Sequence, residues 1–124
     1  MRYRPLGRTD LTVSTVGFGV WTVSTDWWGR IERDQGVRLL QDAYHLGVTL
    51  FDTADTYGDG FGEEILALAL ADHRQDIVIS TKVGYDFFSS PLREGHRERP
   101  QNFDPPCLRK ACEQRLRRLQ TASR

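Results

Sequence analysis

Net charge is the first thing this chain lacks: 17 Lys and Arg side chains are balanced by 17 Asp and Glu. A balanced chain has no long-range field to recruit nucleic acid or an anionic membrane surface, so neither is expected as a partner. Long apolar runs are missing too. None approaches the ~20 residues of a transmembrane helix, and no N-terminal stretch joins basic residues to an apolar core, so the expected compartment is the cytoplasm. Cysteine is scarce, with only 2 in the sequence. Cys107 and Cys112 lie five positions apart on a predicted helix and point in different directions, so free thiols are expected rather than a disulfide or a metal pair. Low-complexity tracts and interdomain linkers are absent, and 124 residues leave room for one domain, 1–124.

What is present alternates strands with helices. Tyr3–Leu6 and Leu11–Ser14 flank the turn-rich Gly7-Arg8-Thr9-Asp10 and read as a hairpin. Val16–Gly19 reads as a short strand, followed by a loop over Val20–Arg30. A helical pattern runs from about Arg33 to Leu46, with Gly47 where a glycine ends a helix. The β-branched and apolar run Val48–Phe51 predicts a buried strand. A helix over about Gly62–Asp72 follows, apolar nearly all round from Ile65 to Ala71, which implies burial between neighbours. Ile77–Thr81 predicts another strand, and Gly84–Phe103 a loop of a length that is uncommon unless functional or disordered. Asp104 suits an N-cap and Pro105 the first position of the last helix. A hairpin followed by three strand–helix units favours an α/β fold with a parallel sheet.

Chemistry concentrates at two strand ends. Phe51-Asp52-Thr53-Ala54-Asp55-Thr56-Tyr57 puts a carboxylate at the end of one strand and a phenol one short loop later. Asp76-Ile77-Val78-Ile79-Ser80-Thr81-Lys82 puts an ammonium at the end of the next. In a parallel barrel the C-terminal strand ends share one face, where catalysis is built, so Asp52, Tyr57 and Lys82 can converge across thirty positions. Taken singly, each has a plainer reading: a turn cap, a packed aromatic, a solvated charge. Together they make a proton donor for carbonyl chemistry. An ammonium beside a phenol favours the phenolate and lowers the phenol pKa from its reference of about 10, while the carboxylate neutralises and fixes the ammonium. The trio cannot supply hydride, so a reduction requires a nicotinamide cofactor. Two other readings fare worse. Gly17-Phe18-Gly19 lacks the third glycine of a dinucleotide fingerprint, Thr22 standing in its place. Asp52, Asp55, Asp59 and Glu63 are better explained as caps and solvated charges than as oxygen ligands, and no metal is expected.

The ordered motifs resemble the N-terminal part of the aldo-keto reductase family, NADPH-dependent (β/α)8 barrels. Tyr3-Arg4-Pro5-Leu6-Gly7-Arg8-Thr9 resembles the family's opening hairpin and Val16-Gly17-Phe18-Gly19-Val20-Trp21 its first barrel strand. Phe51 to Gly58 is similar to the signature around its catalytic Asp and Tyr, Ile79-Ser80-Thr81-Lys82 to the strand bearing its Lys, and Leu108 to Leu116 to its third barrel helix. The resemblance implies the N-terminal half of a TIM barrel: the hairpin plus about three βα units. It implies Tyr57 as proton donor, Lys82 and Asp52 as its tuning pair, Asp52 also at the nicotinamide ribose, and Val20 and Trp21 along the nicotinamide end of NADPH. It places Trp27 and Trp28 in a loop that forms part of the family's substrate pocket, where simple loop packing is an equal reading of the two, and it implies a small carbonyl compound, an aldehyde or ketone, as substrate.

The family's fourth catalytic residue, usually His, follows the next barrel strand, and His45, His73 and His96 do not stand where they could replace it. The sequence changes character after Gln120, which gives the expectation of a truncated or frameshifted product, inactive or weak by itself. The alternative expectation is a non-catalytic half-barrel that binds or assembles through its exposed edges, including self-association.

Overall fold

The computed structural model of the protein describes residues 1–89 and 99–122. Strands β1 (Tyr3–Pro5) and β2 (Thr12–Ser14) pair antiparallel in a hairpin, with Tyr3 opposite Ser14. The barrel strands follow: β3 (Gly17–Gly19), β4 (Leu50–Asp52) and β5 (Val78–Ser80). They form one parallel sheet in the order β3-β4-β5. Helix α1 (Trp21–Ser24) and helix α2 (Arg33–His45) lie between β3 and β4. A turn over Tyr57–Gly60, helix α3 (Phe61–Leu70) and a 3₁₀ segment (Ala71–Asp76) lie between β4 and β5. Helix α4 (Pro105–Arg118) closes the series.

The strand register sorts side chains between two faces. Phe18, Phe51 and Ile79 stand side by side across the sheet and join the hydrophobic core built with Leu40 and Ala43 of α2 and Ile65, Leu66, Ala69 and Leu70 of α3. Side chains alternate along a strand, so the flanking rows Gly17–Leu50–Val78 and Gly19–Asp52–Ser80 belong to the opposite face. Reciprocal bonds between Ser14 and Thr49, each backbone N–H donating to the other's hydroxyl at 2.9 Å, tie the hairpin to the barrel strands.

Several boundaries differ from the sequence expectation for local reasons. The loop after β3 contains α1, a single turn that the Ser24 and Thr25 hydroxyls support by donating to the carbonyls of Val20 and Trp21 at 2.8 and 2.9 Å. The second barrel strand begins at Leu50, because the Val48 N–H is taken by the Ala43 carbonyl at the end of α2. Helix α3 stops at Leu70 and tightens into the 3₁₀ segment. The apolar run from Ile65 to Ala71 is buried except at Leu68 and Ala71, which are exposed. The Asp104 side chain makes no capping bond; instead Asn102 Oδ1 accepts the Asp104 N–H at 2.9 Å. Cys107 and Cys112 are free thiols. His96 and the middle of the expected loop Gly84–Phe103 lie outside the described residues.

Candidate active site

Asp52 ends β4, and Lys82 lies two residues beyond the last residue of β5. Ser80 and Lys82, two apart, fall on the same side by strand alternation. The Lys82 ammonium is the hub. Its Nζ donates to Asp52 Oδ2 at 2.7 Å, to the Thr53 carbonyl at 2.8 Å and to the Tyr57 hydroxyl at 3.4 Å. It also stands 5.1 Å from the centre of the Tyr57 ring. Asp52 is held from its other side by the Ser80 hydroxyl, which donates to Oδ1 at 3.2 Å. Burial works against the Lys82 charge, but the hydrogen bond and charge of Asp52, with Tyr57 adding, outweigh it and raise the pKa above the ordinary ammonium value. The lysine is therefore a fixed cation. The pair is half exposed, with Lys82 and Asp52 side chains 51% and 47% accessible, so a reactant can reach it.

The phenol is presented by an unusual turn. Gly58, Asp59 and Gly60 are three successive residues with positive φ, at 59°, 54° and 101°. A Cβ on Gly58 would collide with the Ser24 carbonyl oxygen, so only glycine lets this turn press against α1. Because Lys82 donates into the Tyr57 oxygen, the phenol's own proton is not used in that contact.

Around this centre the expected residues divide. Trp21 is partly exposed and contacts both loop tryptophans, with ring centres 5.9 Å from Trp27 and 6.1 Å from Trp28. Trp28 is 75% exposed. The Val20 side chain lies in the core instead, fully buried, and its N–H donates to the Asp52 carbonyl at 2.8 Å. The ends of the strands fit a flat ring: Gly19 has no side chain, and a Cβ there would find nothing within 4 Å, while Asp52 and Ser80 supply polar groups in the same row. A nicotinamide could approach this patch, with Asp52 as the hydrogen-bonding group beside it.

The four acids do not form a common centre. Asp52 engages Lys82, Asp59 engages Arg99 at 3.1 Å, and Glu63 engages Arg118 at 2.6 Å. Among the described residues no group of three or more His, Cys, Asp or Glu stands where it could hold a metal ion. Asp55 is buried, 2% exposed, with neither carboxylate oxygen hydrogen-bonded. Burial pushes its pKa up to about 6, the Glu63 charge adding and the Arg118 charge opposing. Sequence reasoning missed the Thr53 carbonyl, Ser80 and Arg99. Ser80 could have been found from its i, i+2 relation to Lys82; a backbone carbonyl and a loop arginine leave no such signal.

Comparisons with known proteins agree with the fold. A family model described as Aldo/keto reductase family matches residues 15–123. The holo form of an aldo-keto reductase from Bacillus halodurans is 33% identical with a TM-score of 0.81, covering 98% of this chain and 37% of its own. An NADH-specific methylglyoxal reductase of Escherichia coli is 32% identical over 125 residues, 96% of this chain and 38% of its own length. An aldo/keto reductase from Klebsiella pneumoniae, solved with NADP and acetate, is 29% identical with a TM-score of 0.63, over 89% of this chain and 32% of its own. This chain thus spans less than two fifths of the length of each of these relatives. The family model covers most of the chain, the solved relatives share its fold, and the chain belongs to the aldo/keto reductase family.

Proposed function

We propose that this chain carries the proton-transfer centre of a nicotinamide-dependent carbonyl reductase, with NADPH as cofactor and a small aldehyde or ketone as substrate. The observation that carries the reading is the Lys82 ammonium joining Asp52 at 2.7 Å and the Tyr57 hydroxyl at 3.4 Å on one open face. When bound, the cofactor supplies the hydride that the side chains cannot. Tyr57 gives its proton to the carbonyl oxygen as the alcohol forms and accepts one in the reverse direction. Lys82 stabilises the phenolate left behind, and Asp52 holds Lys82 in position. Trp21, Trp27 and Trp28 form an apolar wall on which the rest of the substrate rests. The cytoplasm is the compartment that suits such a reaction.

NADPH is chosen over NADH on the family resemblance and on the Klebsiella relative solved with NADP, although the Escherichia coli relative is named for NADH. By itself the chain is weak or inactive, because hydride transfer needs reacting atoms held about 3–3.5 Å apart and the relatives use far more polypeptide. The test is a chimera in which residues 1–124 replace the corresponding part of the Bacillus halodurans reductase. It should oxidise NADPH in the presence of methylglyoxal, whereas failure of a folded, NADPH-binding chimera to turn over any small aldehyde would overturn the reading.

A second reading rests on the sheet edges. Among the described residues, β3 and β5 each pair on one side only, with β4. Unpaired edges are templates for further strands, so the chain would act as an assembly module that associates with a second copy of itself.

A further inference from the structure

The turn that carries Tyr57 is gripped by two arginines from the far side of β5. Arg118, at the end of α4, lies across Gly60, whose missing Cβ would stand 2.8 Å from its Cδ, and reaches Glu63 at 2.6 Å. The second grip involves the segment after Lys82. There Gly84–Asp86 and Pro100–Asn102 run together as a stem: Tyr85 and Gln101 form an antiparallel bridge, Asp86 N–H donates to the Pro100 carbonyl and Asn102 N–H to the Gly84 carbonyl, both at 2.8 Å. Arg99 sits at the outer end of this stem with its side chain 3% exposed, its guanidinium 4.4 Å from the centre of the Phe87 ring and 3.1 Å from Asp59 Oδ2.

Asp59 is the informative partner. It is one of two non-glycine residues described with positive φ, at 54°, and it stands between Gly58 and Gly60. A side chain in that backbone region is disfavoured and persists where surrounding contacts hold it. Glycine would fit the turn with less strain but would bring no carboxylate.

We propose that the Asp59–Arg99 ion pair is a positioning contact for Tyr57, fixing the left-handed turn behind the phenol and docking the stem after Lys82 against it. This rests on the reading of Tyr57 as the proton donor. A buried guanidinium fixed by an aromatic face loses little freedom on pairing, so the pair holds the turn more firmly than two mobile surface charges would. Tyr57 and Lys82, on separate strand–helix connections, are thereby locked to one another at their outer ends as well as through their own side chains.

The test uses the full 124-residue chain with ¹³C-labelled tyrosine, and no cofactor or substrate, so failure of the reductase reading leaves its result intact. Arg99→Gln and Asp59→Asn should move the Tyr57 ring resonances in the same direction and speed amide exchange at Gly58–Gly60 by roughly threefold to tenfold, while the Tyr3 and Tyr44 signals stay put. Arg99→Lys, which keeps the cation, should restore most of the wild-type signal. The double variant should show less than the sum of the two single changes, because the ion pair is shared between them. Unmoved Tyr57 resonances in both single variants, or effects that add in full in the double variant, would overturn the proposal.

Discussion

Arg118 reaches the Glu63 carboxylate at 2.6 Å, and Glu63 is fully buried. The carboxylate's other oxygen accepts the Thr81 hydroxyl at 2.8 Å, so both its oxygens are satisfied. This cluster joins α3, α4 and the end of β5 directly beneath the turn that carries Tyr57. Removing one partner of a buried pair leaves the other charge uncompensated, which costs about 3–5 kcal/mol. Arg118→Met should therefore lower the urea midpoint sharply. Replacing both residues, Arg118→Met with Glu63→Gln, should recover part of the loss. A single variant as stable as wild type would show that water reaches Glu63.

Asp55 makes a pH-dependent contribution of the opposite sense to the usual carboxylate. Its folded pKa stands at about 6 against an ordinary 3.8. The folded state thus binds the proton more tightly than the unfolded chain. Stability from this group is fully present below about pH 4, falls as pH rises through about 6, and stays low above it. Asp55→Asn should stabilise the protein at pH 7.5 by on the order of 2 kcal/mol, and the gain should vanish near pH 4. Urea unfolding at both pH values checks this; an equal difference at the two would mean that Asp55 does not titrate between them.

Two substitutions separate the roles at the candidate centre, measured in the chimera with the Bacillus halodurans reductase. Tyr57→Phe keeps the ring but deletes the proton donor, and should reduce kcat by roughly 10²–10⁴-fold with little change in KM. Lys82→Met removes the hub that bonds Asp52, Thr53 and Tyr57, and should also lower kcat while leaving NADPH binding largely intact. Turnover by the phenylalanine variant close to that of its parent would exclude Tyr57 as the acid.

Much of this site was legible because strand-end chemistry is local. Asp52 and Lys82 each end an apolar run, and parallel strands bring such ends together, so their 2.7 Å contact follows from pattern and topology. Tyr57 was legible through the same motif. The Asp59–Arg99 pair was not, because it joins a turn to a loop whose course depends on the stem pairing at Tyr85 and Gln101. The direction of the Val20 side chain was not legible for a related reason: it directly follows β3, but the turn into α1 carries the side chain into the core and leaves only its backbone near the strand ends. The early stop of α3 at Leu70 escaped notice as well, since Ala71 and Asp72 are compatible with both α and 3₁₀ geometry, and the choice is made by tertiary packing.

The sheet edges give the last expectation, that the chain self-associates. β5 presents one unpaired edge among the described residues, beside a groove of about 250 Å³ whose wall carries Arg74 and Arg115 as well as Ile79, Leu116 and Leu119. Backbone groups on such an edge gain hydrogen bonds when a second strand pairs with them, and a net charge of zero offers no repulsion against a second copy. Sedimentation velocity over a concentration series should show a dimer or larger species at tens of micromolar, on the order expected for a modest apolar interface. Leu116→Lys removes apolar surface and adds a further cation beside Arg74 and Arg115, which an incoming copy would have to desolvate, and should shift the distribution towards monomer. A wild-type chain that sediments as monomer at every concentration would rule out assembly through this edge.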